Sequence, residues 1–453
     1  MSKENYGLKL KIDLSQETAS TLDGQSKICN WLYNHLVEQA SILKQKFINQ
    51  DKEAGKILYT KRGLRNLLPK IKKDNPFLKV VHSSPLKNTA LRCSEAIQAH
   101  QKSKKGKRKG KMCWPKFRGW KRGWFSLFYD EPNKGFYIEG QTLFLSLGRG
   151  EDRKQRSIQL MIPDAHLLKD KTIRNLRIVS ELGAYYAIFT IEQEKKVQKP
   201  VSKVIALDPN HKNFAYGVDT DKTAIEIAAP IWLKNYDKRI DELKSRRDRC
   251  LKNAKVIKKV DAEGNPTQKE KTLASKEWKK RNHTLQEALR KRREQTKTFM
   301  FTVAHLLFKK YDCVAIGDYA PHGAGDSTQM RRGMNNRSLL GRFKKVLSWV
   351  GQKSGKNFLI FDEKGTTRTC NDCDAIVEGG LPPKIRVWRC SNCQAVHIRD
   401  ENAAINGLGK VLRDLAEKGV MKITPKVSGA DLAPKERWAW CVLPSDVIVT
   451  SRG

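Results

Sequence analysis

The sequence predicts a multidomain α/β and β protein, and three features along its length indicate this fold class. Between residues 124 and 192, short alternating runs of apolar and polar residues predict the strands of a small β-barrel or sandwich. Residues 201–361 instead alternate short apolar strands with amphipathic helices, which is typical of an α/β domain. Two Cys-x-x-Cys pairs then follow and predict a small metal-binding insertion. A chain of 453 residues is long enough for about two to four domains.

The chain carries a strong excess of positive charge. It has 89 Lys and Arg residues against 48 Asp and Glu residues, a formal net charge of 89 − 48 = +41. So much like charge is costly through self-repulsion unless a polyanion binds it, which favours nucleic acid as the partner. A membrane surface is the weaker alternative, because no apolar run is long enough to span a bilayer. The first residues lack an apolar signal region, so we expect a cytoplasmic protein.

The N-terminal half predicts two domains. An alternating run near the start predicts a first strand, and we expect residues 1–20 to complete a β-barrel domain with residues 112–200. Residues 21–111 predict a helical domain that ends in a basic linker, since apolar residues recur every three or four positions in 26–49 and 84–100. The exposed face of these helices could contact a duplex or serve only as scaffold.

Basic and aromatic residues are interleaved between residues 101 and 124, where no acidic residue occurs. A charge run alone is usually a solvated linker, but aromatic rings can stack on bases while the cations neutralise phosphates. We therefore predict a nucleic-acid-binding segment. Its candidate residues are Lys104, Lys105, Lys107, Arg108, Lys109, Lys111, Trp114, Lys116, Arg118, Trp120, Lys121 and Arg122.

The C-terminal half predicts an α/β domain over residues 201–365 and 396–420. Three strands come first, then a charged helical hairpin, a strand, a helix, a strand and a final helix. This is the order of elements in an RNase H-like fold. The predicted hairpin has helices at 233–260 and 272–311. Residues 421–453 show little pattern, and we expect a partly disordered tail there.

Three acids occupy equivalent positions in this predicted domain. Asp208 and Asp318 each end an apolar strand, and Asp400 opens a helix that should pack on the same sheet. Three converging carboxylates repel one another unless cations bind between them. Two Mg²⁺ ions, with Mn²⁺ as an alternative, would satisfy them and support phosphodiester hydrolysis. A strand-terminal aspartate that only caps a loop is the alternative for any one of them.

Four cysteines predict a structural zinc site within residues 366–395. Cys370 and Cys373 form one pair and Cys390 and Cys393 the other, with sixteen residues between the pairs. Ligand type and spacing both match four-thiolate zinc ribbons, which bind one Zn²⁺. Disulfides or unpaired thiols are the alternative, but thiols stay reduced in the cytoplasm.

Two motifs give the chain a family resemblance. The segments Leu-Asp-Pro-Asn-His-Lys-Asn-Phe at 207–214 and Arg-Asp-Glu-Asn-Ala-Ala-Ile-Asn at 399–406, with the cysteine ribbon between them, resemble the split RuvC nuclease of the TnpB family. The compact type V CRISPR effectors share these motifs. The segment Trp-Pro-Lys-Phe-Arg at 114–118 resembles the barrel, or wedge, domain of the same family.

The resemblance implies an RNA-guided DNA endonuclease with a single Mg²⁺-dependent RuvC site. Asp208 and Asp400 match the first and third catalytic acids, whereas Asp318 falls where the family usually has Glu. Asn210 replaces a usual Gly, and Ile398 lies where an Asp is frequent. The implied partners are a guide RNA and target double-stranded DNA, bound by a monomer or homodimer in a prokaryotic nucleoid, with residues 21–111 as the recognition domain.

Three other functions stay open at this point. One is an RNA-guided DNA-binding protein or transcriptional repressor with a degenerate RuvC site that does not cleave. Another is a transposase that joins DNA ends without a guide. The third is a zinc-ribbon transcription or translation factor, which the acids at the strand ends disfavour.

Overall fold

The computed structural model describes most of the chain, in two compact units. These units are Met1–Glu194 and Lys195–Gly453. The described residues are 2–108, 110–119, 124–150, 154–198, 200–210, 213–251, 256–260, 266–272, 274–318, 339–382, 384–421, 430–443 and 446–452. None of the described helices is long and apolar enough to cross a membrane.

The N-terminal unit combines a group of helices with two β-sheets. Its helices are α1 (Gln16–Ile48), α2 (Lys52–Tyr59), α3 (Gly63–Asn66), α4 (Leu68–Asp74) and α5 (Ser83–Lys104). Its strands are β1 (Lys3–Ile12), β2 (Leu127–Tyr129), β3 (Phe136–Glu139), β4 (Thr142–Arg149), β5 (Gln155–Met161), β6 (Thr172–Glu181) and β7 (Ala184–Glu194).

The first strand, which the alternating pattern predicts, pairs with residues far along the chain. Strand β1 pairs antiparallel with β7 over its whole length, in a sheet of order β1-β7-β6-β2. A bridge between Asp13 and Met161 connects it to the second sheet, β3-β4-β5. Leu36 of α1, Leu86 of α5 and Leu145 of β4 belong to one buried core, so helices and sheets of this unit fold together.

The C-terminal unit is an α/β structure with a separate ribbon. Its helices are α6 (Trp232–Arg249), α7 (Lys276–Lys310), α8 (Leu340–Ser354) and α9 (Arg399–Glu417). Its strands are β8 (Val204–Pro209), β9 (Ala215–Asp219), β10 (Thr223–Ile227), β11 (Val256–Val260), β12 (Pro266–Thr272), β13 (Cys313–Gly317), β14 (Asn357–Phe361), β15 (Val387–Arg389), β16 (Val396–Ile398), β17 (Glu436–Val442) and β18 (Val447–Arg452).

The central sheet brings three strand ends to one edge. Its order is β14-β13-β8-β9-β10-β17-β18, and β13 runs parallel to both β8 and β14. Side chains of β8 and β13 alternate between two cores. Leu207 and Ile316 pack with α7 and α8, whereas Ala206 and Ala315 pack with α9. Because parallel strands end on the same side, residues that follow β8, β13 and β14 become neighbours.

The charged helical hairpin differs from its prediction. Helix α6 ends at Arg249 rather than near residue 260, and β11 and β12 form an antiparallel ribbon before α7 begins. Val256, Ile257 and Val260 are β-branched and favour strands. The charged residues around them resemble those of the preceding helix, and the prediction of a helix to residue 260 was therefore wrong.

The C-terminal segment is also more ordered than expected. Strand β17 pairs parallel with β10, and β18 pairs antiparallel with β17, so both extend the central sheet. Trp440 and Val442 are buried in the core beside α7 and α8. The alternation in β17 is short, and its parallel partner lies more than two hundred residues earlier in the chain, so local pattern alone did not reveal it.

Candidate active site and metal centre

Asp208 lies near the end of β8, where β13 and β9 flank it on either side. Its side chain is partly buried. This burial raises the pKa of Asp208 well above its ordinary value, and the carboxylates of Glu363 and Asp400 raise it further. Arg399 and Arg386 act in the opposite direction. A raised pKa caused by neighbouring acids is expected for a carboxylate that shares a cation with them.

Asp400 lies in the first turn of α9 and is only 8% exposed. Arg386 donates from Nη1 to both of its carboxylate oxygens, at 3.0 Å and 3.2 Å. The Nδ2 atom of Asn210 lies 3.4 Å from Oδ2 of Asp400. Arg386 belongs to the cysteine ribbon and Asn210 follows β8. The acid therefore sits between the ribbon and the strand that carries Asp208, with a cation already against it.

Asp318 follows β13 directly and is exposed. Its Oδ1 atom accepts a hydrogen bond from the backbone N–H of Glu363 at 3.1 Å, and its own N–H donates to the carbonyl of Phe361 at 2.9 Å. Asp318 thus holds the chain that leaves β14. As a catalytic acid it stays a prediction.

Glu363 is an acid that no sequence motif singles out. It follows β14 by two residues and is partly buried. The available signal was its position, because β14 runs parallel to β13 and its end meets the ends of β8 and β13. Among charged groups, the carboxylate of Glu363 has the largest effect on the pKa of Asp208.

The acids are neighbours but not tightly gathered. Within the described parts of the chain, two sets of three or more His, Cys, Asp or Glu residues bring their ligand atoms within 4.8 Å of one another, and both include ribbon cysteines. Carboxylate oxygens are nonetheless the ligands that Mg²⁺ and Mn²⁺ prefer. The guanidinium of Arg386 already places positive charge on Asp400. The donor set therefore fits a hard divalent cation that would replace this contact.

A second ionic group anchors the helix that carries Asp400. Arg437 of β17 donates from Nε and Nη2 to the two carboxylate oxygens of Glu401, at 2.9 Å and 2.8 Å. The hydroxyl of Tyr216 in β9 donates to the same carboxylate at 2.7 Å. This network joins β9, β17 and the first turn of α9. The C-terminal strand therefore supports the residue next to Asp400.

The four ribbon cysteines form a compact cluster. Their sulfur atoms all lie within 4.8 Å of one another, and the Cys370–Cys393 and Cys373–Cys390 distances are both 3.6 Å. A tetrahedral Zn²⁺ with bonds of about 2.3 Å places its sulfurs about 3.8 Å apart, whereas disulfide sulfurs are bonded at about 2.05 Å. All four thiols are free. The cluster therefore fits a zinc site better than it fits the disulfide alternative.

Local contacts shift the pKa values of the cluster in both directions and attach it to α9. A hydrogen bond from Asn392 is the main cause that lowers the pKa of Cys373 to about 6, whereas burial is the main cause that raises the pKa of Cys370 to about 12. Nε2 of His397 lies 3.1 Å from Sγ of Cys370. The backbone N–H of Asn371 donates to Oδ1 of Asn402 at 3.0 Å. The ribbon is thus bonded to the helix that begins at Asp400.

The basic segment divides into exposed and packed residues. Lys104, Lys105, Lys107, Arg108, Lys111 and Lys116 are exposed, as phosphate contacts require. Lys109, Trp120, Lys121 and Arg122 lie outside the described residues.

The other two candidates of this segment are built into the N-terminal unit. The ring of Trp114 is partly buried, contacts His100 edge-on at 5.5 Å and has the Lys44 ammonium 4.7 Å from its centroid. Arg118 donates from Nε to Oδ1 of Asn30 at 3.0 Å. Their clearest role in the structure is packing.

The fold and the site define an α/β protein that has acidic residues at the ends of its central strands and carries an inserted four-cysteine ribbon. Residues 341–407, which span α8, β14, the ribbon and the start of α9, match the family model described as Cas12f1-like, TNB domain. TnpB-like proteins of Acanthamoeba polyphaga mimivirus are 28% identical to the chain over 155 residues. That match covers 33% of this chain and 29% of each relative, so the chain spans less than a third of the length of these relatives.

A solved structure extends the similarity to the fold. The chain is similar to Cas12f1 in a cryo-EM structure of its complex with sgRNA and target DNA, with a TM-score of 0.51 and 13% identity. The similarity covers 89% of this chain and 98% of that protein. The chain thus resembles TnpB-like proteins in sequence and a compact type V effector in fold. This confirms the family resemblance predicted from the motifs.

Proposed function

We propose that this chain is an RNA-guided DNA endonuclease with one RuvC-type site in an RNase H-like domain. The observation that carries the proposal is the approach of Asp208 to Asp400, across the end of a parallel strand and the start of the helix bonded to the four-cysteine ribbon. The Cas12f1 relative was solved with RNA and target DNA. The +41 charge supplies the electrostatic basis for binding both polyanions.

In this proposal Asp208 and Asp400 hold divalent metal, together with a third acid from the ends of β13 and β14. Bound Mg²⁺ or Mn²⁺ would activate water and stabilise the leaving oxygen of the phosphodiester. Asn210 orients Asp400, and the Glu401–Arg437 pair fixes the helix turn that presents it. Base pairing of the guide would supply sequence specificity.

The four-cysteine cluster takes one structural Zn²⁺ in this proposal. Its thiols are arranged for tetrahedral coordination. We further propose residues 1–20 with 112–200 as wedge domain, 21–111 as recognition domain, and residues 201–365 with 396–420 as nuclease. The protein acts as a monomer or homodimer on its guide RNA, in the cytoplasm and at the nucleoid of a prokaryote.

The experiment is cleavage of DNA by the purified protein–RNA complex. The co-purified RNA is sequenced, and a DNA duplex matching its guide is incubated with the complex and Mg²⁺. Asp208→Asn and Asp400→Asn should each abolish cleavage while guided binding in a gel-shift assay persists, because binding depends on pairing and phosphate contacts. DNA cleavage or end joining that needs no RNA would contradict the proposal and favour a transposase.

The second candidate is a guided DNA-binding protein that does not cleave. Two observations favour it: Asp318 is exposed, and Arg386 is paired with Asp400. Tight binding of matched DNA without any cut strand, in both Mg²⁺ and Mn²⁺, would replace the nuclease by this candidate.

A further inference from the structure

We propose that Glu363, rather than Asp318, is the third acidic ligand of the metal site, and that Gly317 leaves the space for its carboxylate. This inference rests on the proposed function, since it completes the same site. The two acids belong to neighbouring strand ends: Asp318 directly follows β13, and Glu363 follows β14.

The side chain of Glu363 fills the space above Gly317. A Cβ atom built on Gly317 would lie 1.7 Å from Oε1 of Glu363 and 2.4 Å from its Cδ and Cγ. The Glu363 carboxylate therefore occupies the place where a side chain at residue 317 would lie, and such a side chain would have to displace it. Residue 317 is the last residue of β13, whose preceding residue Ile316 pairs with Leu207, next to Asp208.

Hydrogen bonds, one of them to Asp318, hold the backbone of Glu363. Asp318 uses Oδ1 to accept from the backbone N–H of Glu363 at 3.1 Å. The carbonyl of Glu363 accepts from the N–H of Thr366 at 3.1 Å and from its hydroxyl at 2.9 Å. These bonds hold the backbone of Glu363 while its side chain lies over Gly317. Asp318 is therefore a positioning residue.

Asp208 lies beside the volume that Glu363 fills. It follows Leu207, the residue that pairs with Ile316, and Gly317 follows Ile316 on the parallel neighbouring strand. The Glu363 carboxylate over Gly317 therefore lies at the strand end that carries Asp208. A cation bound to Asp208 and Asp400 would thus lie within the field of Glu363.

The test compares Glu363→Gln with Asp318→Asn. Gln keeps the volume of Glu but loses its charge. Asn keeps the oxygen that accepts from the Glu363 N–H, so it is a matched control. Mn²⁺ binding to the protein–RNA complex is measured by electron paramagnetic resonance, alongside cleavage of matched DNA and guided binding.

We expect Glu363→Gln to weaken Mn²⁺ binding by more than about 10-fold and to lower cleavage by about 100-fold or more, with guided binding unchanged. Asp318→Asn should change either quantity less than about 3-fold, because the positioning hydrogen bond survives. The reverse ranking, or equal losses in both variants, would overturn the assignment.

Moving the carboxylate from residue 363 to residue 317 gives an independent check of the ligand assignment. In the double variant Gly317→Asp/Glu363→Ala, the new short acid places its carboxylate near the volume that Oε1 of Glu363 occupies. Mn²⁺ binding should recover relative to Glu363→Ala alone, and an absence of recovery would count against the inference.

The Mn²⁺ measurement separates this inference from the proposed function. If the wild-type complex binds Mn²⁺ through Glu363 but cuts no DNA, the ligand assignment stands and the nuclease proposal fails. If it cuts DNA and Glu363→Gln changes nothing, the nuclease proposal stands and the assignment fails.

Discussion

Replacing Arg437 by Gln should destabilise the C-terminal unit, because it breaks the ionic anchor of α9. The side chain of Glu401 is 11% exposed and that of Arg437 is 37% exposed. Both hydrogen bonds of the pair are short, at 2.9 Å and 2.8 Å. After the substitution, the Tyr216 hydroxyl keeps its bond to the carboxylate, but the buried charge loses its cation.

The expected loss in the free energy of unfolding depends on how exposed the Arg437 side chain is. A hydrogen bond to a charged group contributes about 1.5–3 kcal/mol, so two such bonds set an upper range of roughly 3–6 kcal/mol. Water can replace part of this, because more than a third of the Arg437 side chain is exposed. We therefore expect a loss of about 2 kcal/mol, which corresponds to roughly 4–8 °C in the melting temperature of a unit of this size.

Urea unfolding followed by tryptophan fluorescence measures the effect, since Trp438 and Trp440 belong to the same strand as Arg437. Lys418→Gln is the matched control: it also removes one positive charge, but from an exposed pair with Asp414, and should cost less than about 0.5 kcal/mol. A double-mutant cycle with Glu401→Gln isolates the pair. An Arg437→Gln loss no larger than that of the control would refute the reasoning.

Four further predictions concern metal and nucleic acid. Purified protein should contain one equivalent of zinc by elemental analysis, and Cys390→Ser should lower it, since four thiols form the cluster; less than half an equivalent in wild type would contradict this. Arg386→Gln should raise the Mn²⁺ affinity about 5-fold in titrations followed by electron paramagnetic resonance, because the guanidinium competes with the metal for the Asp400 oxygens. An unchanged affinity would show that no competition exists. Mn²⁺ binding should weaken as the pH falls, and the weakening should begin well above the ordinary pKa of Asp. The cause is the raised pKa of Asp208, which keeps its proton to higher pH. An affinity that does not change with pH down to about pH 4 would disprove this. Ala at Lys104, Lys105, Lys107, Arg108 and Lys109 together should flatten the salt dependence of RNA binding, because fewer counterions are released, and an unchanged slope would identify this run as a linker.

Much of the fold follows from local patterns that the sequence displays directly. The spacing of Cys370, Cys373, Cys390 and Cys393 predicts a cluster, and the sulfurs do meet, because each pair lies in one tight turn. Short apolar runs predict β8, β13 and β14, which lie side by side in the central sheet. The strand that contains Asp208 and the strand that Asp318 follows are predicted for the same reason. Period-two and apolar patterns depend only on near neighbours.

Tertiary structure decided which side chains complete the site. Glu363 lies 155 positions after Asp208 and reaches it only because parallel pairing aligns the ends of β8, β13 and β14. Arg386 and Arg437 look like any other surface cation in a chain of +41 charge, yet each binds an acid of the first turn of α9. Trp114 stays a predicted base-stacking residue, and in the structure its ring contacts His100 edge-on. Sequence determines the charge and the local elements, whereas contacts between distant segments depend on how those elements pack, and that packing has no local signature.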